Sequence, residues 1–133
     1  MENIIRECVL ALDSADTDKL LSFYAKSPEV IVIGSEDGLY RGWEKVEKFY
    51  KEFIRARSKE GKKSIALSEL ETRMIDGVAW FSSQLVLSLE QKVKTKGRTK
   101  VKLIEKKLLF SGVLVKEEGN WKLVQSHLSL PSI

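Results

Sequence analysis

Few side chains in this sequence are of types that suit chemistry at neutral pH. The chain of 133 residues holds one histidine, His127, and one cysteine, Cys8. As a catalytic group, His127 would need to face a cavity beside an orienting carboxylate. Strand alternation places it instead on an outward face with Trp121 and Gln125. We therefore interpret His127 as an interface residue, with a catalytic role as the second interpretation.

Other reactive patterns are missing from the sequence. One histidine and one cysteine cannot supply a zinc set, and the carboxylates lack the spacing of a calcium loop. No glycine-rich phosphate loop and no G-x-S-x-G nucleophile sequence occur. We therefore expect no metal and no cofactor. No catalytic set can be identified, and whether the protein is an enzyme stays open.

Length and composition predict one domain over residues 1–133. No apolar run approaches the ~20 residues that cross a membrane, and the N-terminus predicts a helix rather than a signal peptide. The single cysteine excludes an internal disulfide and predicts a reducing, cytoplasmic location, with Cys8 buried on a helix. Abundant Lys and Glu with few Asn and Gln give a thermophile-like composition.

Hydrophobic periodicity predicts an α+β chain in the order helix, helix, strand, strand, helix and four strands. The helices are expected over residues 3–12, from Asp16 to before Pro28, and from Trp43 to a stop at Gly61. The strands are expected at Val30–Ile33, Leu39–Arg41, Ser64–Ile75, Val78–Glu90, 101–116 and 121–130. Asp76-Gly77 is a typical two-residue hairpin turn between the third and fourth strands.

The positive charge is concentrated in one stretch, residues 91–107, which we name the basic hairpin. It holds eight Lys or Arg and one Glu, a net charge of +7, whereas the whole chain carries +4, so the remainder is −3. Its lysines suit phosphates or an acidic partner. No aromatic residue lies between positions 82 and 109 to stack on a base, so nucleic acid is disfavoured. The favoured interpretation is a solvated tip that discourages edge-to-edge aggregation.

Alternation separates two faces in each predicted strand pair. We expect helices to cover the more apolar faces, which carry Ala66, Leu70, Met74, Ala79, Phe81, Leu85, Leu87 and Leu89 in one pair and Leu109, Val113, Val115, Val124, Leu128 and Leu130 in the other. The opposite faces mix aromatic and polar groups, which is typical of an interface. We predict a homodimer through Arg73, Trp80, Phe110, Trp121, Gln125 and His127.

Small polar residues interrupt the predicted inner face. Serines leave space and offer hydroxyl donors among aromatic side chains, which suits a small organic ligand. The predicted pocket is lined by Tyr24, Trp43, Tyr50, Phe53, Phe81, Ser83, Ser111, Ser126 and Leu128. A filled core whose hydroxyls bond to the backbone is an equally favoured alternative.

Three strings in this element order resemble the nuclear transport factor 2-like (ketosteroid-isomerase-like) superfamily, particularly its SnoaL-like branch. They are FYAKSPEVIVIGSEDGLYRGWEKV, DGVAWF and VLVKEEGNWKLVQSHLSLP, at residues 23–46, 76–81 and 113–131. The resemblance implies a cone-shaped α+β barrel, in which a curved, mixed and largely antiparallel sheet wraps around a long helix. It also implies a cavity at the wide end and dimerisation through the outer sheet face. The superfamily holds enzymes, binding modules and oligomerisation domains, so the fold does not choose a function.

The sequence departs from the steroid-isomerase members of this superfamily at two positions. Alignment on Arg41-Gly42 places Ile33 where those relatives have their general-base Asp, and Cys8 falls at their helix tyrosine. The resemblance therefore disfavours ketosteroid-isomerase chemistry. Two functions stay open: a homodimer that binds a small apolar ligand, or a non-catalytic assembly module that uses its outer sheet face and basic hairpin.

Overall fold

A computed structural model describes residues 1–34, 38–58 and 63–129, with the side chains at positions 57, 58, 63 and 91 excepted. The elements are α1 (Glu2–Asp13), α2 (Thr17–Ser22), β1 (Ile31–Ile33), β2 (Leu39–Arg41), α3 (Trp43–Ser58), β3 (Lys63–Ile75), β4 (Val78–Thr95), β5 (Arg98–Glu117) and β6 (Asn120–Ser129). The α+β class and the predicted order of elements are confirmed. Gly61 and Leu130, which carried predictions, lie outside the described residues.

One open sheet joins the strands in the order β2-β1-β6-β5-β4-β3. Neighbouring strands are antiparallel except β1 and β6, which run parallel. The mixed, largely antiparallel sheet is therefore as predicted. β4 continues to Thr95 and β5 starts at Arg98, so the basic hairpin is the uninterrupted end of these two strands.

The helices cover one face of the sheet, which we name the inner face. Asp16 caps α2 by accepting a hydrogen bond from the backbone N–H of Lys19 at 3.2 Å. In α3, Val46, Tyr50 and Ile54 recur every four residues and are buried, because this spacing keeps side chains on one side of a helix. In the described ranges, no helix has the length and apolar character needed to span a membrane.

A β-bulge in β3 changes which residues face the core. Ser68 pairs with Gln84 and Glu71 with Ser82, so Glu69 and Leu70 together oppose one residue of β4. Glu69 has a φ of 51°, and an extra residue of this kind reverses the alternation beyond it. Ala66 was predicted on the same face as Leu70, which is wrong: Ala66 is exposed, whereas Leu70 packs against the core.

The face prediction for β5 and β6 is largely wrong. Phe110, Leu114 and Leu123 are buried in the core. The residues predicted to be inside, Leu109, Val113, Val115 and Val124, are half-buried or exposed on the opposite, outer face. In β5 both faces are apolar here, so alternation does not distinguish the inner from the outer face. In β6 a register shift between Val113 and Leu114 leaves Val124 unpaired, and this bulge reverses the alternation beyond it. Leu128, beyond this bulge, is buried as predicted.

Gly112 lies where the inner face has no room for a side chain. It pairs with Phe81 on one side and Ser126 on the other. A Cβ atom at this position would lie 2.8 Å from the Phe81 ring and 2.7 Å from the backbone oxygen of Gln125. The missing side chain therefore lets the Phe81 ring pack against Phe110, with ring centroids 5.1 Å apart.

We expect Gly112→Ala to destabilise the fold by about 1–3 kcal/mol, because the added methyl group overpacks a filled site. The control is Gly77→Ala, since a Cβ atom there meets nothing within 4 Å. Free energies of unfolding from urea titration measure both variants. Equal stability of the two would contradict the packing at Gly112.

Candidate functional site

Three hydroxyl groups meet inside the molecule, from Tyr24, Tyr50 and Ser126; we name them the hydroxyl cluster. Tyr24 follows α2, where the chain runs beside β6 and Ala25 donates its backbone N–H to the Leu123 carbonyl at 2.9 Å. Tyr50 comes from the buried side of α3, and Ser126 from the inner face of β6. The cluster therefore joins a loop, a helix and the sheet.

The Tyr24 hydroxyl lies at the centre of the hydroxyl cluster. It is hydrogen-bonded to the Tyr50 hydroxyl and, at 2.8 Å, to Ser126 Oγ. All three side chains are at most 2% exposed. Three hydroxyl groups bring three protons, and these two bonds use two of them. The cluster can therefore donate one further hydrogen bond to an acceptor that reaches it.

Burial holds the groups around the cluster in their neutral forms. Desolvation raises the pKa of the Cys8 thiol to about 12. Desolvation also raises the pKa values of Tyr24 and Tyr50, and the neighbouring Cys8 adds to both shifts. At neutral pH these groups are hydrogen-bond donors and acceptors rather than nucleophiles or bases. This chemistry suits a neutral ligand more than proton transfer.

The structure brings most of the predicted pocket residues to the inner face. Tyr24, Tyr50, Phe81, Ser83, Ser126 and Leu128 are buried there, and Trp43 and Phe53 pack partly buried against the same core. The Ser83 hydroxyl donates to the Phe110 carbonyl at 2.8 Å, as the filled-core alternative predicts. The placement of Ser111 is wrong: it pairs with the exposed Ser82, so it lies on the outer face.

The β1 residue that faces the core is neither an acid nor a base. Val32, fully buried and paired with Ser126, is the residue that faces inward, whereas Ile33 is half-buried and pairs with His127. Both β1 residues are apolar, so neither can accept a proton from a substrate. Within the described part of the chain, no group of three or more His, Cys, Asp or Glu side chains is placed to hold a metal ion.

The outer face shows a row of paired residues that crosses five strands. Arg73 pairs with Trp80, Trp80 with Val113, Val113 with Gln125, and Gln125 with Ile31. His127 lies in the adjacent row, half-buried. Four of the six predicted interface residues, Arg73, Trp80, Gln125 and His127, therefore share this face.

Phe110 and Trp121 were also predicted on the interface face, and this placement is wrong. Phe110 pairs with the inner-face residue Ser83 and is 3% exposed. Trp121 lies partly buried against the core, before the bulge that reverses the alternation of β6. The bulge is the physical reason, because it separates Trp121 from the face of His127.

Aliphatic side chains together with Trp80, rather than Phe110 and Trp121, give the outer face its apolar character. Val78, Trp80 and Leu109 are between 40% and 45% exposed there, and Ile75 is 64% exposed. Sequence reasoning placed Leu109, Val113, Val115 and Val124 inside and so missed the apolar character of this face. The continuous register of β4 and β5, if known, would have revealed it.

A cleft of about 390 Å³ lies at the β1 end of the outer face, and we name it the outer cleft. Its floor and walls are formed by Ser27, Glu29, Val30, Ile31, Val113, Val115, Glu117, Val124 and Gln125. The lining therefore combines aliphatic residues with two carboxylates, those of Glu29 and Glu117. The cleft suits an apolar segment that also carries positive charge.

The comparisons with known proteins support the resemblance seen in the sequence. The family model described as a SnoaL-like domain matches residues 1–133. A search of curated proteins finds no match.

Three solved structures illustrate the similarity of the fold. An NTF2-like protein of unknown function from Pseudomonas putida KT2440 has a TM-score of 0.79 and 11% identity, over 99% of this chain and 84% of that one. An uncharacterized protein with a cystatin-like fold from Caulobacter vibrioides has a TM-score of 0.76 and 16% identity, over 98% and 87%. A nuclear transport factor 2-like superfamily protein from Salmonella enterica serovar Typhimurium has a TM-score of 0.72 and 20% identity, over 99% and 88%. At these identities the structures show the fold alone.

The two tyrosines of the hydroxyl cluster should differ in what they contribute to stability. Tyr24→Phe removes the central hydroxyl and leaves the buried hydroxyls of Tyr50 and Ser126 without their shared partner. We therefore expect the free energy of unfolding to fall by about 2 kcal/mol. Tyr50→Phe removes a terminal hydroxyl and only one of the two bonds, so we expect about 1 kcal/mol. Urea unfolding measures both free energies. A Tyr50→Phe variant less stable than Tyr24→Phe would contradict the central position of Tyr24.

Proposed function

We propose that this chain, which belongs to the SnoaL-like domain family, works as a single-domain homodimer that binds a small, mainly apolar ligand in the cone. The observation that carries the proposal is the outer face, where Ile75, Val78, Trp80 and Leu109 are exposed together on paired strands. The lone, buried Cys8 supports a reducing, cytoplasmic setting.

The outer face supports self-association through its composition. Its centre is aliphatic and aromatic, while Arg73, Gln125 and His127 add polar groups around Trp80 and Val113. An apolar centre with a polar surround is the usual composition of a protein interface. A second copy can cover the whole face at once, because a two-fold interface pairs one surface with itself.

The inner face supports the choice of ligand. The aromatic rings of Trp43, Phe53 and Phe81 lie in or against the same core that contains the neutral hydroxyl cluster. Such a lining suits a neutral ligand with one carbonyl or hydroxyl oxygen, in a space of a few hundred Å³. The neutral state of Cys8, Tyr24 and Tyr50 disfavours an ionised ligand.

A second candidate function is a non-catalytic assembly module. The observation that favours it is the basic hairpin, whose side chains from Lys92 to Leu103 are all exposed. In such a module the outer face and the hairpin would recruit partners, and the space inside the cone would have no function. Ligand binding distinguishes the two candidates.

Replacing Trp80 by Glu should dissociate the homodimer, because a charge would then lie at the centre of an apolar interface. We expect a shift from two copies to one at micromolar concentration in light scattering. The control is Leu10→Glu, since Leu10 is 63% exposed on α1, away from the outer face. A wild-type protein that is already monomeric would refute the homodimer.

Ser126→Leu should abolish ligand binding, because the larger side chain would occupy the part of the inner face beside Tyr24 where we propose that the ligand binds. A thermal-shift screen of small neutral hydrophobic compounds first identifies a ligand that raises the melting temperature of the wild type. That shift should vanish in Ser126→Leu and persist in Ser111→Leu, because Ser111 lies on the opposite face of the sheet. If no compound stabilises the wild type, the assembly module becomes the better proposal.

A further inference from the structure

The end of the β4–β5 ribbon projects from the sheet as a two-stranded arm. The described part of β3 pairs with β4 only as far as Leu89, whereas β4 and β5 remain paired up to Thr95 and Arg98. We define the arm as residues 92–103, and all of its side chains are exposed. In the described chain, no arm lysine makes an ion pair. Both charge and apolar surface on the arm are thus free to meet another molecule.

The two sides of the arm differ in chemistry. The side continuous with the outer face carries Lys92 and Lys94 together with Val101 and Leu103, which are 61% and 60% exposed. The other side carries Arg98, Lys100 and Lys102, paired across from Thr95, Val93 and Gln91. Only the first side combines aliphatic residues of this exposure with lysines, because strand alternation separates the two sets.

The outer cleft complements that first side of the arm. Val113, Val115 and Val124 offer an apolar surface, and Glu29 and Glu117 offer negative charge. Val101 and Leu103 match the valines, and Lys92 and Lys94 match the carboxylates. Cleft and arm lie on the same face of the sheet but at opposite ends of β5, too far apart to meet within one copy.

A two-fold axis would bring the arm and the cleft together. Val101 and Val115 lie seven residues to either side of Leu108, or about 23 Å each along the strand. If the axis lies between the two sheets, passes near this midpoint and is perpendicular to β5, then Val101 of one copy lies over the partner's Val115. Because the outer cleft lies on the β6 and β1 side of β5, the strands of the two sheets must also cross, at roughly the 30° of aligned sheets, for each arm to reach the partner's cleft.

We infer that the two copies exchange arms: each arm lies in the other copy's outer cleft, with its lysines beside Glu29 and Glu117. This inference rests on the proposed homodimer and specifies how its two surfaces dock. It also gives the basic hairpin an acidic partner within the assembly. The exchange would add apolar burial and opposite charges at both ends of the interface.

The first test reverses the charge on each side of the arm separately. Lys92→Glu with Lys94→Glu should raise the dimer dissociation constant about tenfold or more, since attraction becomes repulsion in both clefts. Lys100→Glu with Lys102→Glu makes the same change in charge on the opposite side of the arm. This pair should alter the dimer dissociation constant less than threefold. Analytical ultracentrifugation measures both, and the difference should shrink at high salt.

The second test restores the charges across the interface. Glu29→Lys with Glu117→Lys should also weaken the dimer, and combining it with Lys92→Glu and Lys94→Glu should recover most of the wild-type affinity. Such recovery would support direct contact, because unrelated surface charges are expected to act additively. If the wild type dimerises and none of these changes alters its dissociation constant, the arm exchange is overturned, whereas the homodimer is still supported. A monomeric wild type would overturn both.

A polyanion is the competing occupant of the arm, and a duplex DNA oligonucleotide is the probe for it. If the arm serves nucleic acid, reversals on either side should abolish salt-sensitive binding of the duplex while the dimer stays intact. That result would overturn the exchange. Absence of duplex binding, together with the side-specific loss of dimer affinity, would support it.

Discussion

The unbroken pairing of β4 with β5 is the constraint on which the rest of this structure depends. Every residue of β4, from Val78 to Thr95, has a partner in β5, so one register determines which side chains of both strands face the helices. It places Ala79 opposite Leu114 and Ser83 opposite Phe110 on the inner face. The same register fixes Trp80 opposite Val113 on the outer face. A slip of one residue would exchange these sets.

The elements of the fold follow from short-range sequence signals, but its faces do not. The turn at Asp76-Gly77, the cap at Asp16 and the buried stripe of α3 act within a few residues, so the sequence predicts them correctly. The two bulges depend on the pairing register across two hairpins, β3 with β4 and β5 with β6, which no short-range signal specifies. Around Phe110 both faces of β5 are apolar, so alternation alone cannot decide between them. The pairing register, which composition does not reveal, is the information that assigns these residues to a face.

The predicted site shows the same division between short-range signals and strand register. Tyr24, Tyr50 and Ser126 were predicted to share the inner face, and they do meet there. Ser111 was misplaced by the same parity error as Phe110. The consequence for chemistry is limited, because burial keeps the surviving groups neutral and Val32, like Ile33, is apolar. The inner face therefore offers a ligand shape and hydroxyl groups rather than ionised ones.

Because the β5 residues that were predicted to face inward face outward instead, the outer face is more apolar than predicted. With Phe110 and Leu114 turned inward, the valines at 113 and 115 necessarily turn outward, since neighbours along a strand face opposite sides. They extend an apolar surface that continues along the ribbon to Leu103 and Val101. Exposed aliphatic rows on a long strand invite association, and lysines on such a ribbon limit which partners can approach. Carboxylates in the outer cleft would attract those lysines, so in the proposed exchange of arms the charge pattern selects one arrangement of two copies over indiscriminate stacking of sheets.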